Sequence, residues 1–142
     1  MKIVVLAGGL SPERNVSLST GTMVAEALQS LGHQTALVDM YFGVESAGPE
    51  LAGLFGAPVD RAGRKVSRQA PDLQEVRSSR KGTSPSLFGP GVLELCAMAD
   101  LVFLALHGSC GEDGRVQAAF DLMGIPYTGA GYLGSAIAMD KD

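Results

Sequence analysis

Short apolar runs separated by glycine-rich breaks dominate the first part of the chain. Residues 2–7 (KIVVLA) form one such run, which predicts a buried strand that ends at two glycines. Apolar residues then recur at helical spacing, and Gly32 is placed as the helix stop. Residues 33–38 predict a second strand, so this part has the order of a parallel βαβ unit. The residues at helical spacing are Val16, Thr20, Met23, Val24, Ala27 and Leu31.

Regular structure is predicted again in the last third of the chain. Residues 91–99 predict a short helix, and residues 101–106 predict another buried strand. A helix is predicted over residues 114–123, followed by a short edge strand at residues 125–128, a position that tolerates its proline. Residues 132–141 predict the opening of a further helix.

Residues 43–90 interrupt this pattern with scattered glycine, proline, serine and arginine. They show weak periodicity and few large apolar side chains, which is typical of a long irregular insertion. The stretch at residues 59–66 is compatible with a short hairpin. Together the elements predict the α/β class, with a Rossmann-like parallel sheet flanked by helices and interrupted by this insertion.

Length, composition and charge restrict the class of protein. The chain has 142 residues, of which 46% are hydrophobic and 18% charged, as expected for one globular domain. Its net charge of −4 disfavours nucleic acid as a partner, and the basic residues of the insertion are mixed with acids. The apolar runs are too short to cross a membrane, and we expect no secretory signal. Cys96 and Cys110 match neither a disulfide framework nor a zinc pattern, so we expect a cytoplasmic protein.

The loop after the first strand, GGLSPER (residues 8–14), lies where parallel sheets bind ligands. Its glycines allow a ligand to approach the backbone, and the following helix start favours anions. However, its spacing matches neither of the two common nucleotide loops, and Glu13 adds a negative charge that suits a substrate ammonium. Glu13 could instead only complement the helix dipole, an effect of about 0.3–1 kcal/mol. Its position alone leaves both interpretations open.

A second polar loop, HGSCGEDG (residues 107–114), follows the third predicted strand. His107 should therefore face the same crevice as Glu13, where an imidazole with an ordinary pKa of about 6.5 can donate to a carboxylate. The residues alone slightly favour the alternative of a core histidine that bonds the loop backbone. We interpret Cys110 as structural, and the adjacent Glu112 and Asp113 as the start of the next helix rather than metal ligands.

These motifs together resemble one family, the D-alanine–D-alanine ligases. The match covers residues 1–42 and 91–142, whereas the middle of the chain matches only as an insertion of variable length. Any one motif would be moderate evidence, but all of them occur in the family's order and spacing. The four segments that carry the resemblance are GGLSPERNVS (8–17), HGSCGEDGRVQ (107–117), IPYTG (125–129) and SAIAMDK (135–141).

For the fold, the resemblance implies a Rossmann-like (pre-ATP-grasp) N-terminal domain on the substrate side of the enzyme. That domain would cover residues 1–130, with residues 43–90 as its variable insertion. Residues 131–142 would begin a linker helix that leads into an ATP-grasp region beyond this chain. The chain alone is then expected not to catalyse the ligation. The resemblance also implies a homodimer with contacts through this domain.

For the chemistry, the resemblance implies a ligase that uses ATP and Mg²⁺ (or Mn²⁺) to phosphorylate the carboxylate of one D-alanine. The amine of a second D-alanine then attacks the acyl phosphate, giving the dipeptide used in peptidoglycan. Glu13 would hold the ammonium of the first D-alanine, and His107 would stabilise its carboxylate and the acyl phosphate. Ser17 and Gly108 would complete the substrate site, and Lys141 would reach an ATP phosphate. No residue of this chain is implied as a metal ligand.

Three alternatives stay open at this stage. A ligase that joins D-alanine to D-lactate or D-serine would share this domain, because the choice depends on residues outside the chain. A non-catalytic small-molecule-binding module could keep the same crevice. A Rossmann-type nucleotide-binding domain is disfavoured by the absence of a G-x-G-x-x-G loop and by Glu13 within the loop.

Overall fold

A parallel sheet of three strands forms the centre of the computed structural model, which describes residues 1–44, 48–59, 72–80, 86–106 and 114–128. The strand order is β2-β1-β3, so the first strand lies between the other two. Both neighbouring pairs are parallel, as the sequence pattern predicts. The strands are β1 (Lys2–Ala7), β2 (Gln34–Asp39) and β3 (Leu101–Leu104).

Four α-helices and one 3-10 helix lie among the described residues. The helices predicted over residues 91–99 and 114–123 are both confirmed, and the first helix ends at Ser30, two residues before the predicted stop Gly32, which has a φ of +92°. None of the described helices is long and apolar enough to cross a membrane. The helices are α1 (Arg14–Ser30), the 3-10 helix (Gly48–Leu54), α2 (Leu73–Ser79), α3 (Val92–Met98) and α4 (Arg115–Met123).

The pairing register brings the carboxyl ends of the three strands to one edge of the sheet. Ala7 at the end of β1 pairs with Asp39 at the end of β2, and Leu6 pairs with Leu104 at the end of β3. Loops at the carboxyl ends of parallel strands are where α/β folds place their ligands. We call this the carboxyl edge; its described residues are Gly8, Gly9, Asp39, Ala105 and Leu106.

The edge strand predicted at residues 125–128 is reduced to a single parallel bridge between Val102 and Tyr127. The amide of Val102 donates to the Pro126 carbonyl at 2.9 Å, and the amide of Thr128 donates to the Val102 carbonyl at 2.9 Å. Proline has no N–H to donate, which is one reason that the pairing stays this short. The bridge nevertheless extends the sheet by one position beyond β3.

The central strand β1 is buried on both faces. Ile3, Val5 and Ala7 point toward α1, whereas Val4 and Leu6 pack into the larger core formed with α3, α4 and the 3-10 helix. Double-sided burial explains why β1 is a continuous apolar run rather than an alternating one. Cys96 lies in the larger core, where burial raises the pKa of its thiol to about 12. It therefore stays protonated and packs as a small apolar side chain.

Most of the apolar positions that predict helix α1 lie outside its buried face, although Val24 packs on the cluster that contains Ile3 and Val5. Val16, Met23 and Leu31 are 46%, 53% and 74% exposed, and Ala27 is also exposed. The side that packs on the sheet is made mainly of small and polar residues, because the helix lies very close to β1. A Cβ added at Gly21 would lie 2.6 Å from the Ala7 Cβ. The buried residues of α1 are Arg14, Ser17, Gly21, Thr22 and Ala25.

The insertion contains more regular structure than its sequence predicts. Leu51 of the 3-10 helix and Phe55 just after it are buried in the larger core, and Asp72 is the N-cap of α2. The Asp72 carboxylate accepts hydrogen bonds from the amides of Gln74 and Glu75, a side-chain cap that propensity analysis of the whole stretch overlooks. The hairpin considered at residues 59–66 falls outside the described residues, except for Val59, which is not in a strand.

Gly21→Ala should lower the free energy of unfolding by up to about 2 kcal/mol. The new Cβ would press on Ala7, and overpacking of this kind costs about 1–3 kcal/mol, more than the roughly 1 kcal/mol that alanine gains in a helix. Gly53→Ala is the matched control, because a Cβ there would meet nothing within 4 Å. Urea unfolding of both variants measures the difference. Equal stabilities would contradict the close helix–sheet contact.

Candidate functional site

Two glycines close the β1–α1 loop onto the end of β2. Gly8 and Gly9 have φ values of +75° and +78°, which side chains other than glycine rarely adopt. A Cβ at Gly8 would also lie 2.9 Å from the carboxylate of Asp39. A Cβ at Gly9 would lie 3.2 Å from the methyl group of Met40. The loop can follow this path only because both positions lack a side chain.

Ser17 joins the β1–α1 loop to the end of β3. Its hydroxyl donates to the Ala105 carbonyl at 2.7 Å and accepts from the Gly8 amide at 2.8 Å. The side chain is 0% exposed, so these two bonds satisfy backbone groups that water does not reach. The hydroxyl proton is donated to the Ala105 carbonyl. Ser17 therefore fixes the distance between the β1–α1 loop and the chain that follows β3.

Arg14 crosses beneath the loop and pairs with Asp39. Its Nη1 donates to the Gly9 carbonyl at 2.9 Å and to Asp39 Oδ1 at 3.1 Å, and its Nη2 pairs with Asp39 Oδ2. The guanidinium also lies 4.7 Å from the centre of the Phe42 ring. The Arg14 side chain is only 8% exposed, so this two-point pair supplies the counter-charge that a buried cation requires.

The sequence analysis did not identify this pair, although two signals were present. Arg14 belongs to the loop after β1, and Asp39 ends the strand next to β1. Because adjacent parallel strands end at the same edge, the two side chains are within reach of one another. Backbone amides also fix Asp39, since its Oδ1 accepts from Tyr41 at 2.9 Å and from Phe42 at 3.2 Å.

Glu13 occupies the N-cap position of α1, and its carboxylate is directed to solvent. Its amide donates to Ser11 Oγ at 3.1 Å, and its carbonyl accepts from the Ser17 amide at 3.0 Å. The carboxylate makes no capping hydrogen bond, and the residue is exposed. Within the described part of the chain, Glu13 is thus an acid at a helix N-terminus that does not perform the usual capping role of an acid.

Three of the predicted site residues fall outside the described residues. These are His107, Gly108 and Lys141. The described chain reaches the carboxyl edge at Leu106 and resumes at Gly114, which is buried and has a φ of +93°. The structure brings Glu13 and Ser17 together at this edge, one exposed and one buried.

The same edge differs from that of a dinucleotide-binding domain. Such domains use an acid near the end of the second strand to bind the ribose hydroxyls. Here the corresponding acid is Asp39, whose oxygens already accept hydrogen bonds from Arg14, Tyr41 and Phe42. The described ranges also contain no group of three or more His, Cys, Asp or Glu placed to hold a metal ion. The fold and the edge together define a Rossmann-like α/β domain with an exposed acid in its first loop.

Comparison with known proteins specifies the family. The family model for the D-ala D-ala ligase N-terminus matches residues 2–130. The D-alanine–D-alanine ligase of Lacticaseibacillus casei is 43% identical over 141 residues, and that of Pediococcus pentosaceus is 44% identical over 142 residues. Each match covers 99% of this chain and 40% of the relative. The chain belongs to the family of D-alanine–D-alanine ligase N-terminal domains and spans about two fifths of the length of these relatives.

Solved structures agree with this assignment. The D-alanine–D-alanine ligase of Bacillus anthracis complexed with ATP has a TM-score of 0.59 and 26% identity, covering 99% of this chain and 33% of that one. The ligase of Coxiella burnetii has a TM-score of 0.58 at 22% identity, covering 100% of this chain and 39% of that one, and supports the fold alone. The α/β Rossmann-like fold class is therefore confirmed.

Ser17→Ala should reduce the free energy of unfolding by about 1–3 kcal/mol, because the Gly8 amide and the Ala105 carbonyl would lose a buried partner. Ser30→Ala, on the exposed side of the same helix, is the matched control and should change stability by no more than about 0.5 kcal/mol. Urea unfolding provides the comparison. A Ser17→Ala variant as stable as Ser30→Ala would contradict the bridging role.

Proposed function

We propose that this chain supplies the first D-alanine site of an ATP-dependent D-alanine–D-alanine ligase that serves peptidoglycan synthesis. The observation that carries the proposal is the exposed Glu13 carboxylate, which makes no capping hydrogen bond at the carboxyl edge. Membership in the ligase N-terminal family supports the same conclusion. The activity itself belongs to the longer protein that its relatives represent.

Glu13 is the residue that we propose binds the ammonium of the first D-alanine. A carboxylate and an ammonium form charge-assisted hydrogen bonds, which are about twice as strong as bonds between neutral groups. An acid that only complemented the helix dipole would gain most by also capping the first amides, which Glu13 does not do. Ser17 then serves the substrate site by holding the loop that carries Glu13, since its hydroxyl is already bonded to Gly8 and Ala105.

The roles of the second loop rest on the resemblance of HGSCGEDGRVQ to the ligase signature. We propose that His107 and Gly108 bind the D-alanine carboxylate, and that His107 stabilises the acyl phosphate formed from it. The strand that leads to this loop ends beside Gly9, because a Cβ on Gly9 would lie 3.6 Å from Leu106. That position supports a single crevice formed by the two loops.

ATP and Mg²⁺ (or Mn²⁺) complete the proposed reaction. When bound, they supply the phosphoryl group and neutralise its charge. Lys141 is the residue of this chain that we propose contacts an ATP phosphate, again by resemblance. The described residues contain no group of three or more His, Cys, Asp or Glu placed to bind the metal. Because the reaction consumes ATP, we place it in the cytoplasm.

We further propose that the longer protein is a homodimer with contacts through this domain. The exposed apolar side of α1, which includes Val16, Met23 and Leu31, supports this arrangement because apolar patches on helices commonly mark interfaces. Met23→Glu should shift the longer protein toward monomer in light scattering. Leu122→Glu, on the exposed side of α4, is the matched control and should leave the dimer intact. A monomeric wild-type protein would overturn this proposal.

The proposed reaction is tested by D-alanine-dependent phosphate release from ATP. We expect release by a protein extended to the length of the relatives, with D-alanyl-D-alanine as the product, and none by the 142-residue chain. Activity only with D-lactate or D-serine as second substrate would favour the related ligases. No activity from either folded protein would overturn the ligase proposal and favour a binding module.

Within the same assay, Glu13→Gln should raise the KM for the first D-alanine by about 10- to 100-fold. The expected loss is that of a hydrogen bond to a charged group, about 1.5–3 kcal/mol. The KM for ATP should not change. Glu75→Gln is the matched control, because Glu75 is an exposed acid in the first turn of α2. A Glu13→Gln enzyme with an unchanged KM for D-alanine would remove Glu13 from the substrate site.

A further inference from the structure

Glu13 is followed directly in the chain by a cation. Arg14 lies in the first turn of α1, where the helix dipole disfavours positive charge, and its side chain is only 8% exposed. A buried guanidinium in this position needs an anionic partner. Glu13 is the neighbouring acid, yet the proposed function requires its carboxylate to accept a substrate ammonium. Two acids, Glu13 in the loop and Asp39 at the end of β2, could therefore compete for one cation.

Asp39 is the better partner for Arg14 because backbone hydrogen bonds orient its carboxylate independently of the guanidinium. Its Oδ1 accepts two backbone hydrogen bonds, from Tyr41 and Phe42, so its carboxylate is already oriented. It then meets both terminal nitrogens of Arg14 in a two-point pair, a geometry that suits the planar guanidinium. Glu13, by contrast, is exposed and would have to lose side-chain freedom to bind Arg14.

The remaining contacts of the guanidinium keep it on the inner side of the loop. Nη1 also donates to the Gly9 carbonyl, and the Phe42 ring lies against the guanidinium at 4.7 Å. Gly8 leaves the space for the Asp39 carboxylate, because a Cβ there would lie 2.9 Å from it. The loop, the ring and the acid thus form one receptacle for the Arg14 head group.

We propose that Asp39 is a positioning residue that holds the Arg14 guanidinium beneath the loop and so keeps the Glu13 carboxylate available for the substrate ammonium. This inference rests on the proposed function of Glu13. Without the Asp39 charge, Arg14 is free to pair with Glu13, the acid that precedes it in the chain, and the substrate must then displace it. Loss of the Asp39 charge therefore weakens substrate binding because Arg14 competes with the substrate for Glu13. Removal of the Arg14 charge as well should restore the binding.

The test compares Asp39→Asn, Arg14→Gln and the double variant in the protein extended to the length of its relatives. Asp39→Asn should raise the KM for the first D-alanine about tenfold, which corresponds to about 1.4 kcal/mol, without changing the KM for ATP. The double variant should bring that KM back to within about threefold of the wild-type value. A role in folding alone would lower the amount of folded protein in Asp39→Asn and restore it in the double variant, but it would leave the KM of the folded protein unchanged in both.

Asp100→Asn is the matched control for the loss of an aspartate charge. Its carboxylate also accepts a backbone hydrogen bond, from Lys2 at 2.7 Å, but at the amino end of the strands. It should leave both KM values unchanged. Thermal unfolding of every variant separates loss of folded protein from loss of affinity, and calorimetric titration with D-alanine checks the affinity without turnover.

Each outcome decides the inference. An unchanged KM in Asp39→Asn, or a double variant as impaired as Asp39→Asn, overturns it while leaving the ligase proposal intact. If only the double variant folds, the pair serves folding by neutralising a buried charge, and the inference is wrong. If neither folds, the pair serves folding and the inference is wrong. A wild-type protein without D-alanine-dependent activity overturns the proposed function first.

Discussion

The close contact between α1 and β1 determines where every described residue of the candidate site lies. Gly21 has no side chain, so the helix approaches Ala7 more closely than any other residue would allow. On the same face, one turn earlier, Ser17 is then near enough to reach the Gly8 amide and the Ala105 carbonyl. Arg14, a further turn back, reaches the end of β2. Glu13 comes before these buried residues in the chain and is not one of them. The loop therefore exposes the Glu13 carboxylate to solvent and buries the adjacent Arg14.

The insertion can vary without disturbing this arrangement because its two ends meet. The amide of Gly89 donates to the Met40 carbonyl at 2.7 Å, and the amide of Val44 donates to the Pro90 carbonyl at 2.8 Å. A Cβ on Gly43 would lie 2.4 Å from the Pro90 carbonyl oxygen, so the two backbone segments are in direct contact and leave no space for a side chain. When the ends of a loop are fixed together, a change in its length costs little. The insertion therefore leaves and rejoins the fold at one point beside the carboxyl edge.

Sequence patterns predicted the elements of this domain better than its packing. Strand β1 was evident because burial on both faces produces a continuous apolar run, and the ends of α1 and α4 were evident from glycines with positive φ. The buried face of α1 was missed because close helix–sheet contact selects small residues, whereas periodicity analysis follows large apolar ones. The Arg14–Asp39 pair was missed because it joins residues 25 positions apart, a relation that only the strand order establishes. Glu13 was singled out from its place in the loop and Ser17 from the family resemblance, but their opposite exposures follow from the three-dimensional packing alone.

The charges at the carboxyl edge explain how a fold known for binding anions can be adapted to an ammonium. A glycine-rich loop before a helix ordinarily offers free amides and a positive dipole to a phosphate. In this domain the Gly8 amide is bonded to Ser17, and the Glu13 amide is bonded to Ser11. The acid at the end of β2, which would bind a ribose in a dinucleotide site, instead neutralises Arg14. With these two amides bonded and Arg14 neutralised, Glu13 supplies the exposed charge of the loop, and the edge has the sign that the proposed ammonium group requires.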